Sequence, residues 1–283
     1  AYLKQGQSPE AIPAELAAAA EEARMRVVDM AAEGDDDLIE KYLEEGQLSD
    51  EEIVRGLRKG MLRGLLVPVL YGAATANIGI RPLMEAVFVL APTPAEVPLT
   101  VLDAAGGSEQ TLEPSADGPL AAMIFKTVAD PYVGKLSYFR VFSGVMQSDS
   151  RVYNARLGAE ERLGQLLMIR GKEQIPTEGF SAGDIGSVTK LSGTATGDTL
   201  CDRGRPLAFR MTSFPYRPYS VAVSPKTKAD SAKMSGALAR LVEEDPSLEW
   251  RQEASTRQVL LSGMGDVHID VAVRRLNERL GVG

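Results

Sequence analysis

The residues that could do chemistry in this chain are few and scattered. Its one histidine, His268, stands in the run GMGDVH at residues 263–268. An imidazole beside the backbone donors of a helix start could act as a general base or a ligand. No nucleophile, paired carboxylate or metal-ligand spacing accompanies it, so a structural or interdomain contact is the expectation. The one cysteine, Cys201, excludes an internal disulfide framework and suits a reducing cytoplasm. With no histidine beside it, Cys201 reads as a small core residue. Glu243, Glu244 and Asp245 precede Pro246, which reads as a surface turn closing a helix that proline cannot continue. Cations that could meet RNA phosphates are Lys135, Arg140, Arg151, Arg156 and Arg162, while Lys226 and Lys228, and the basic patch of Arg274, Arg275 and Arg279, could face a neighbouring domain or a larger partner. Ordinary solvated faces account for the same residues. Neither GxxxxGK[ST] nor GxGxxG occurs, so no glycine loop of those kinds is present to cradle a nucleotide's phosphates.

The elements that must position these groups differ along the chain. Its 283 residues suffice for two or three domains. The first 60 residues hold 15 acids against seven Lys and Arg, and the remaining 223 balance at 24 against 24. The acidity is therefore local, and a broad basic nucleic-acid surface is not evident. It suits a solvated face or a docking surface for a basic protein. No signal peptide is visible, and the apolar stretch at 62–80 is broken by Arg63, Pro68 and Asn77, so it is not a membrane span.

Residues 14–33 carry helical spacing in Leu16, Ala20, Met25, Val28 and Ala31. Asp35 to Asp37 can cap a second helix with Leu38, Tyr42 and Leu43 on one stripe. Ser49 with Glu52 three residues on is a capping box for a third, carrying Ile53 and Leu57. Leu65 to Tyr71 reads as a buried strand, and Ile80 to Leu90 as a helix with Leu83, Val87 and Leu90 inward. That strand, loop and helix look like the last unit of an α/β domain. A polar connector at 95–120 holds one strand near Leu99 to Leu102.

Ala121 to Val145 reads as strand, turn, strand. Met123, Phe125 and Thr127 keep a period of two, and so do Ser137, Phe139, Val141 and Ser143. Asp130-Pro131 starts the turn, Gly144 closes the second strand, and Val152 and Tyr153 open a third. Ninety residues without helical spacing predict a barrel closing on itself. Phe214 to Pro218 is a linker. The rest reads β-α-β-β-α, with Asp266 capping the last helix. A split βαβ fold needs one more strand. A start at Ala1 and a stop after a helical run suggest a piece of a larger protein.

Three stretches in order resemble the middle of bacterial translation elongation factor G, a translational GTPase. The first is DDDLIEKYLEEGQLSDEEI (35–53) with VPVLYGAATANIG (67–79). The second is FKTVADPYVGKLSYFRVFSG (125–144) with AGDI (182–185) and TGDTLCD (196–202). The third is SVAVSPKTKADSAKMSGALARLVEEDPSL (220–248) with LLSGMGDVHIDVAVRRL (260–276). The resemblance implies a multidomain fold, α/β plus β-barrel plus α+β. Residues 1–93 would be the tail of a G domain with its inserted subdomain, 94–213 a translation-factor β-barrel, and 214–283 a ferredoxin-like third domain lacking its last strand.

It further implies that Gly72, Ala73 and Ala74 stand where the family backs the guanine base through main-chain contacts, with Ala73 in place of serine. The parent would bind GTP or GDP with magnesium and hydrolyse GTP on the ribosome in the cytoplasm, meeting ribosomal RNA and proteins but no membrane or DNA. The phosphate loop and switch elements would precede Ala1, so the fragment itself is expected to bind no cofactor and to be inactive. The family's catalytic histidine would lie there too, and His268 is not its counterpart. Translocation of tRNA and mRNA is the first function implied; recycling, rescue or antibiotic protection, or a non-catalytic ribosome-binding module, are the alternatives. The linker PYRP and the segment SVTKLSGTATG (187–197) depart from the family pattern and suggest a divergent paralogue.

Overall fold

The computed structural model describes residues 11–97, 99–104, 107–130, 134–210 and 213–283. The chain divides into two compact units, Ala1–Thr93 and Pro94–Gly283.

In the first unit, helices α1 (Ala14–Glu33), α2 (Asp36–Glu45) and α3 (Asp50–Leu62) follow one another. Gly34 and Gly56 let α1 and α3 meet closely, since a Cβ on Gly56 would stand 2.0 Å from the Ala31 carbonyl oxygen. Ser49 and Glu52 form the expected capping box. Asp35 takes the N-cap place of α2 without capping it. Its buried carboxylate instead pairs with Lys59 at 2.9 Å and Arg55 at 3.1 Å. The hydrogen bond from Lys59 holds this carboxyl below its ordinary range. The helical stripe of α1 is inward only at its end, where Ala31 is buried, while Leu16 and Met25 are exposed.

Two further expectations fail in this unit. Leu65 to Tyr71 is not a strand and not buried. Val67, Val69 and Tyr71 are exposed while Leu66, Pro68 and Leu70 are half-buried, an alternation to which no strand is paired among the described residues. Extended residues become a strand only when another strand takes their N–H and C=O groups. Helix α4 (Ile80–Leu90) forms, but it has no buried residue, and Leu83 and Val87 are exposed.

The second unit begins with β1 (Leu99–Asp103) and β2 (Glu109–Leu112), the second of which the sequence does not announce. Then come β3 (Ala121–Asp130) and β4 (Gly134–Ser143), the predicted hairpin; Pro131 of its turn lies outside the described residues. On β4 the period of two holds, and Ser137, Phe139, Val141 and Ser143 form the buried face. On β3 the period of two fails. A register shift between Ile124 and Lys126 turns Phe125 outward and Thr127 inward. Gly144 has φ 75° and lies so near Leu120 that a Cβ would come within 2.7 Å of its Cα. Next are β5 (Val145–Gln147), β6 (Arg151–Asn154), β7 (Ala159–Arg162), β8 (Leu166–Arg170), β9 (Glu173–Thr177), β10 (Gly179–Ser181), β11 (Ile185–Thr189), β12 (Thr199–Cys201) and β13 (Leu207–Ala208).

Eight strands form an antiparallel sheet in the order β7-β6-β12-β3-β4-β11-β8-β9, with β5 paired to β10 and β1 between β13 and β2. Its core gathers Ile124, Phe139, Val141, Met146, Leu166 and Phe180. Among the described residues β7 and β9 are not paired to each other, so the sheet is not shown as a closed ring.

The remainder is β14 (Tyr219–Val223), α5 (Lys228–Glu244), β15 (Glu249–Gln252), β16 (Val259–Gly263) and α6 (Asp266–Leu280), the expected β-α-β-β-α order. The strands lie as β14-β16-β15, with a core of Met234, Leu238, Leu241, Leu261, Ile269 and Leu276. Helix α5 starts earlier than the spacing suggests, because Thr227 and Asp230 form a second capping box. Asp266 is the first residue of α6; its N-cap is Gly265. A complete split βαβ arrangement is not shown.

Candidate functional site

The loop expected to face a nucleotide is built by glycine geometry. Gly72 lies against the next turn, where a Cβ would stand 2.9 Å from the Ile78 carbonyl oxygen. Ala73 and Ile78 form a two-way bridge, with Ala73 N–H donating to Ile78 O at 2.9 Å and Ile78 N–H to Ala73 O at 3.1 Å. Ala74 opens a short 3₁₀ turn, and Asn77 and Gly79 both take left-handed backbone, with φ 53° and 76°. Leucine or valine at either left-handed position would be strained. Gly72, Ala73 and Ala74 thus form one tight loop leading into α4.

The most elaborate cluster of polar side chains lies in the sheet, and the sequence shows it only as a Gly197-Asp198 turn. Asp198 is buried. Its Oδ2 accepts from Asn154 Nδ2 at 2.9 Å, Arg156 Nη2 at 2.8 Å and Ala195 N–H at 2.9 Å, while Oδ1 accepts from Arg156 Nε at 2.5 Å. Asn154 also donates to Thr194 Oγ1 at 2.9 Å, and that hydroxyl donates to Glu161. Glu161 accepts further from Gly193 N–H at 2.7 Å and from Ser192 Oγ at 3.1 Å. Burial pushes the Asp198 carboxyl up, but the bonds from Arg156, Asn154 and Ala195 outweigh it and hold it below the ordinary range. The Glu161 carboxyl is pushed up by burial too, and the bonds from Thr194, Gly193 and Ser192 outweigh that push and hold it down. This network ties the loop at 192–198 to the β6–β7 hairpin. With both acids engaged as acceptors, it positions backbone and offers no free base.

Several of the candidate cations are occupied internally. Arg156 belongs to the network above. Lys135 pairs with Glu243 at 2.5 Å and donates to Thr194 O at 2.6 Å. Arg151 pairs with Glu160 at 3.5 Å, and Arg140 lies 5.0 Å from the Phe142 ring centre. Arg279 pairs with Glu244 at 3.6 Å. Of the others, Lys226 and Arg274 line one pocket, and Arg275 lines another with Arg279.

His268 and Cys201 follow the plain reading. Met264 N–H donates to His268 Nδ1 at 3.1 Å, so Nε2 carries the proton and reaches Asp245 Oδ2 at 3.2 Å. The imidazole joins the start of α6 to the turn after α5. Cys201 is buried, burial pushes its thiol up, and its sulfur accepts from Leu207 N–H at 3.4 Å. Among the described residues, no group of His, Cys, Asp and Glu could hold a metal ion. Among them, too, no helix is long and apolar enough to cross a membrane.

Two family models match in succession. The model of elongation factor G domain 2 matches residues 119–203, and that of elongation factor G, domain III, matches residues 214–283. Among solved structures, the chain is similar to a crystal structure of a protein from Thermus thermophilus, at 30% identity and a TM-score of 0.77. The likeness covers 99% of this chain and 40% of that one, so this chain spans less than half of its length.

Proposed function

Because the chain belongs to the elongation factor G family, carrying matches to domain 2 and domain III in order, we propose that it is the relay and docking part of a ribosome-associated translational GTPase. The observation that carries this reading is the colinear pair of matches, on a chain alike over 99% of its length to a protein more than twice as long. In the parent, GTP hydrolysis in a G domain is coupled to movement of tRNA and mRNA, and the sheet and the β-α-β-β-α domain transmit and anchor that movement. The eight-stranded sheet with its short partner strands serves as the translation-factor β-barrel, and residues 1–93 as the tail of the G domain. The whole works in the cytoplasm against ribosomal RNA and proteins.

In this proposal the loop at Gly72, Ala73 and Ala74 backs a guanine base through the main chain. Ala73 N–H is taken by Ile78 O, so the role falls to Gly72 and Ala74. No magnesium ligand is assigned to this chain. The departures at 187–197 and in the PYRP linker favour a specialised paralogue acting in recycling, rescue or protection as the second reading. Reading the gene upstream of Ala1 tests the GTPase assignment. An in-frame phosphate-loop sequence is expected there, and its absence overturns the assignment. The purified chain by itself is expected to show no GTP turnover, with or without ribosomes.

A further inference from the structure

The turn that ends α5 makes a different contact with each of its four residues. Glu243 pairs with Lys135 at 2.5 Å on β4. Glu244 accepts from the Ala129 backbone N–H at 2.6 Å on β3 and also pairs with Arg279 at 3.6 Å on α6. Asp245 accepts from Ser247 N–H at 3.0 Å and meets His268 at 3.2 Å. The Pro246 carbonyl accepts from Arg217 of the 214–218 linker at 2.5 Å, and Arg217 also pairs with Glu249 at 3.6 Å.

Ala129 and Lys135 are direct partners across the β3–β4 hairpin. Two consecutive glutamates of one domain therefore grip the same rung of the other. The grip is polar. Beside it lies a cavity of about 160 Å³ lined by Ala129, Leu241, Glu244, Arg275, Arg279 and Leu280.

We propose that Glu243 and Glu244 form a two-pronged polar clamp, one ion pair to Lys135 and one hydrogen bond from Ala129 N–H, a releasable joint that fixes the third domain on the β3–β4 hairpin. A joint held by packed apolar area would be insensitive to salt, whereas an ion pair such as Lys135–Glu243 at a partly exposed seam weakens as salt screens it. Asp245, His268 and Arg217 hold the turn's own shape, so the two glutamates stay aimed at the rung when the clamp opens. The polypeptide at 214–218 has no helix or strand and Tyr216 on it is exposed, so it can act as the hinge. This inference does not depend on the ribosomal reading, because it concerns this chain in isolation.

Distance measurement by paired spin labels tests it, with one label at an introduced cysteine replacing exposed Lys172 and the other replacing exposed Lys233. The wild-type chain is expected to give a single narrow distance at low salt, broadening as salt rises to about 1 M, where screening acts within about 3 Å. The double variant Glu243→Gln/Glu244→Gln is expected to give the broad distribution already at low salt. Lys135→Met, which attacks the clamp from the other domain, is expected to broaden it in the same direction while far-UV circular dichroism stays unchanged. A distribution that stays narrow in high salt and in both variants overturns the clamp. So does broadening that comes with loss of secondary structure in both variants, because the residues would then hold the domains' fold and not their joint.

Discussion

Asp198 concentrates the physics of single residues in this chain. Its carboxylate is buried and answers Asn154, Arg156 and Ala195 together. Removing one member of a buried, hydrogen-bonded pair leaves the others desolvated and unpaired. Asp198→Ala is therefore expected to destabilise the sheet by about 2–3 kcal/mol, less than a fully buried pair because Arg156 is partly exposed. The midpoint of urea unfolding followed by circular dichroism checks it. The sign of the pH effect follows from the direction of the shift. The folded-state carboxyls of Asp198 and Glu161 lie below their unfolded values. Their stabilisation is therefore complete above the unfolded carboxylate range of about 4 and is lost as pH falls through the folded values. Stability should stay level from about pH 7 to 5 and fall below about 4, with a shallower fall in Asp198→Ala. Local sequence shows the turn at Gly197-Asp198 but not this network. Asn154, Arg156 and Glu161 stand more than thirty residues from their partners on the 192–198 loop, and no spacing rule reaches that far.

Elements are most legible where their signal is local. Ser49 with Glu52 announces a helix start because capping joins residues three apart. The same device at Thr227 and Asp230 is masked because the apolar spacing of α5 begins only later. Thr227→Ala removes the hydroxyl that accepts Asp230 N–H. It is expected to lower thermal stability of the third domain by about 1 kcal/mol, read as a shift in the melting of the fluorescence of Trp250 on β15. Strand signals fare less evenly. The hairpin β3–β4 is plain from its alternation, yet the bulge near Phe125 moves two of its side chains to opposite faces. Leu65 to Tyr71 has the composition of a strand and no strand partner among the described residues, and pairing is a property of the fold and not of the segment. The exposed apolar residues of α4 belong to the same lesson. Their spacing is helical, but spacing does not say whether anything covers them.

At the scale of the molecule, order along the chain carries more than any residue. No single motif identifies a function here, and several cations that the sequence offers as phosphate contacts turn out to hold the protein to itself. The succession of an acidic helical unit, an antiparallel sheet and a β-α-β-β-α domain is legible because each has its own periodicity. The joint between the last two is not. It depends on Glu243 and Glu244 meeting one rung of a hairpin over a hundred residues earlier. Docking on the ribosome is the claim on which the functional account turns. Competitive co-sedimentation measures it directly, with bacterial ribosomes, the purified 283-residue chain and increasing full-length elongation factor G. The chain is expected to pellet saturably and to be displaced by the full-length factor. A chain that stays in the supernatant at every ribosome concentration, or that pellets without being displaced, would contradict it.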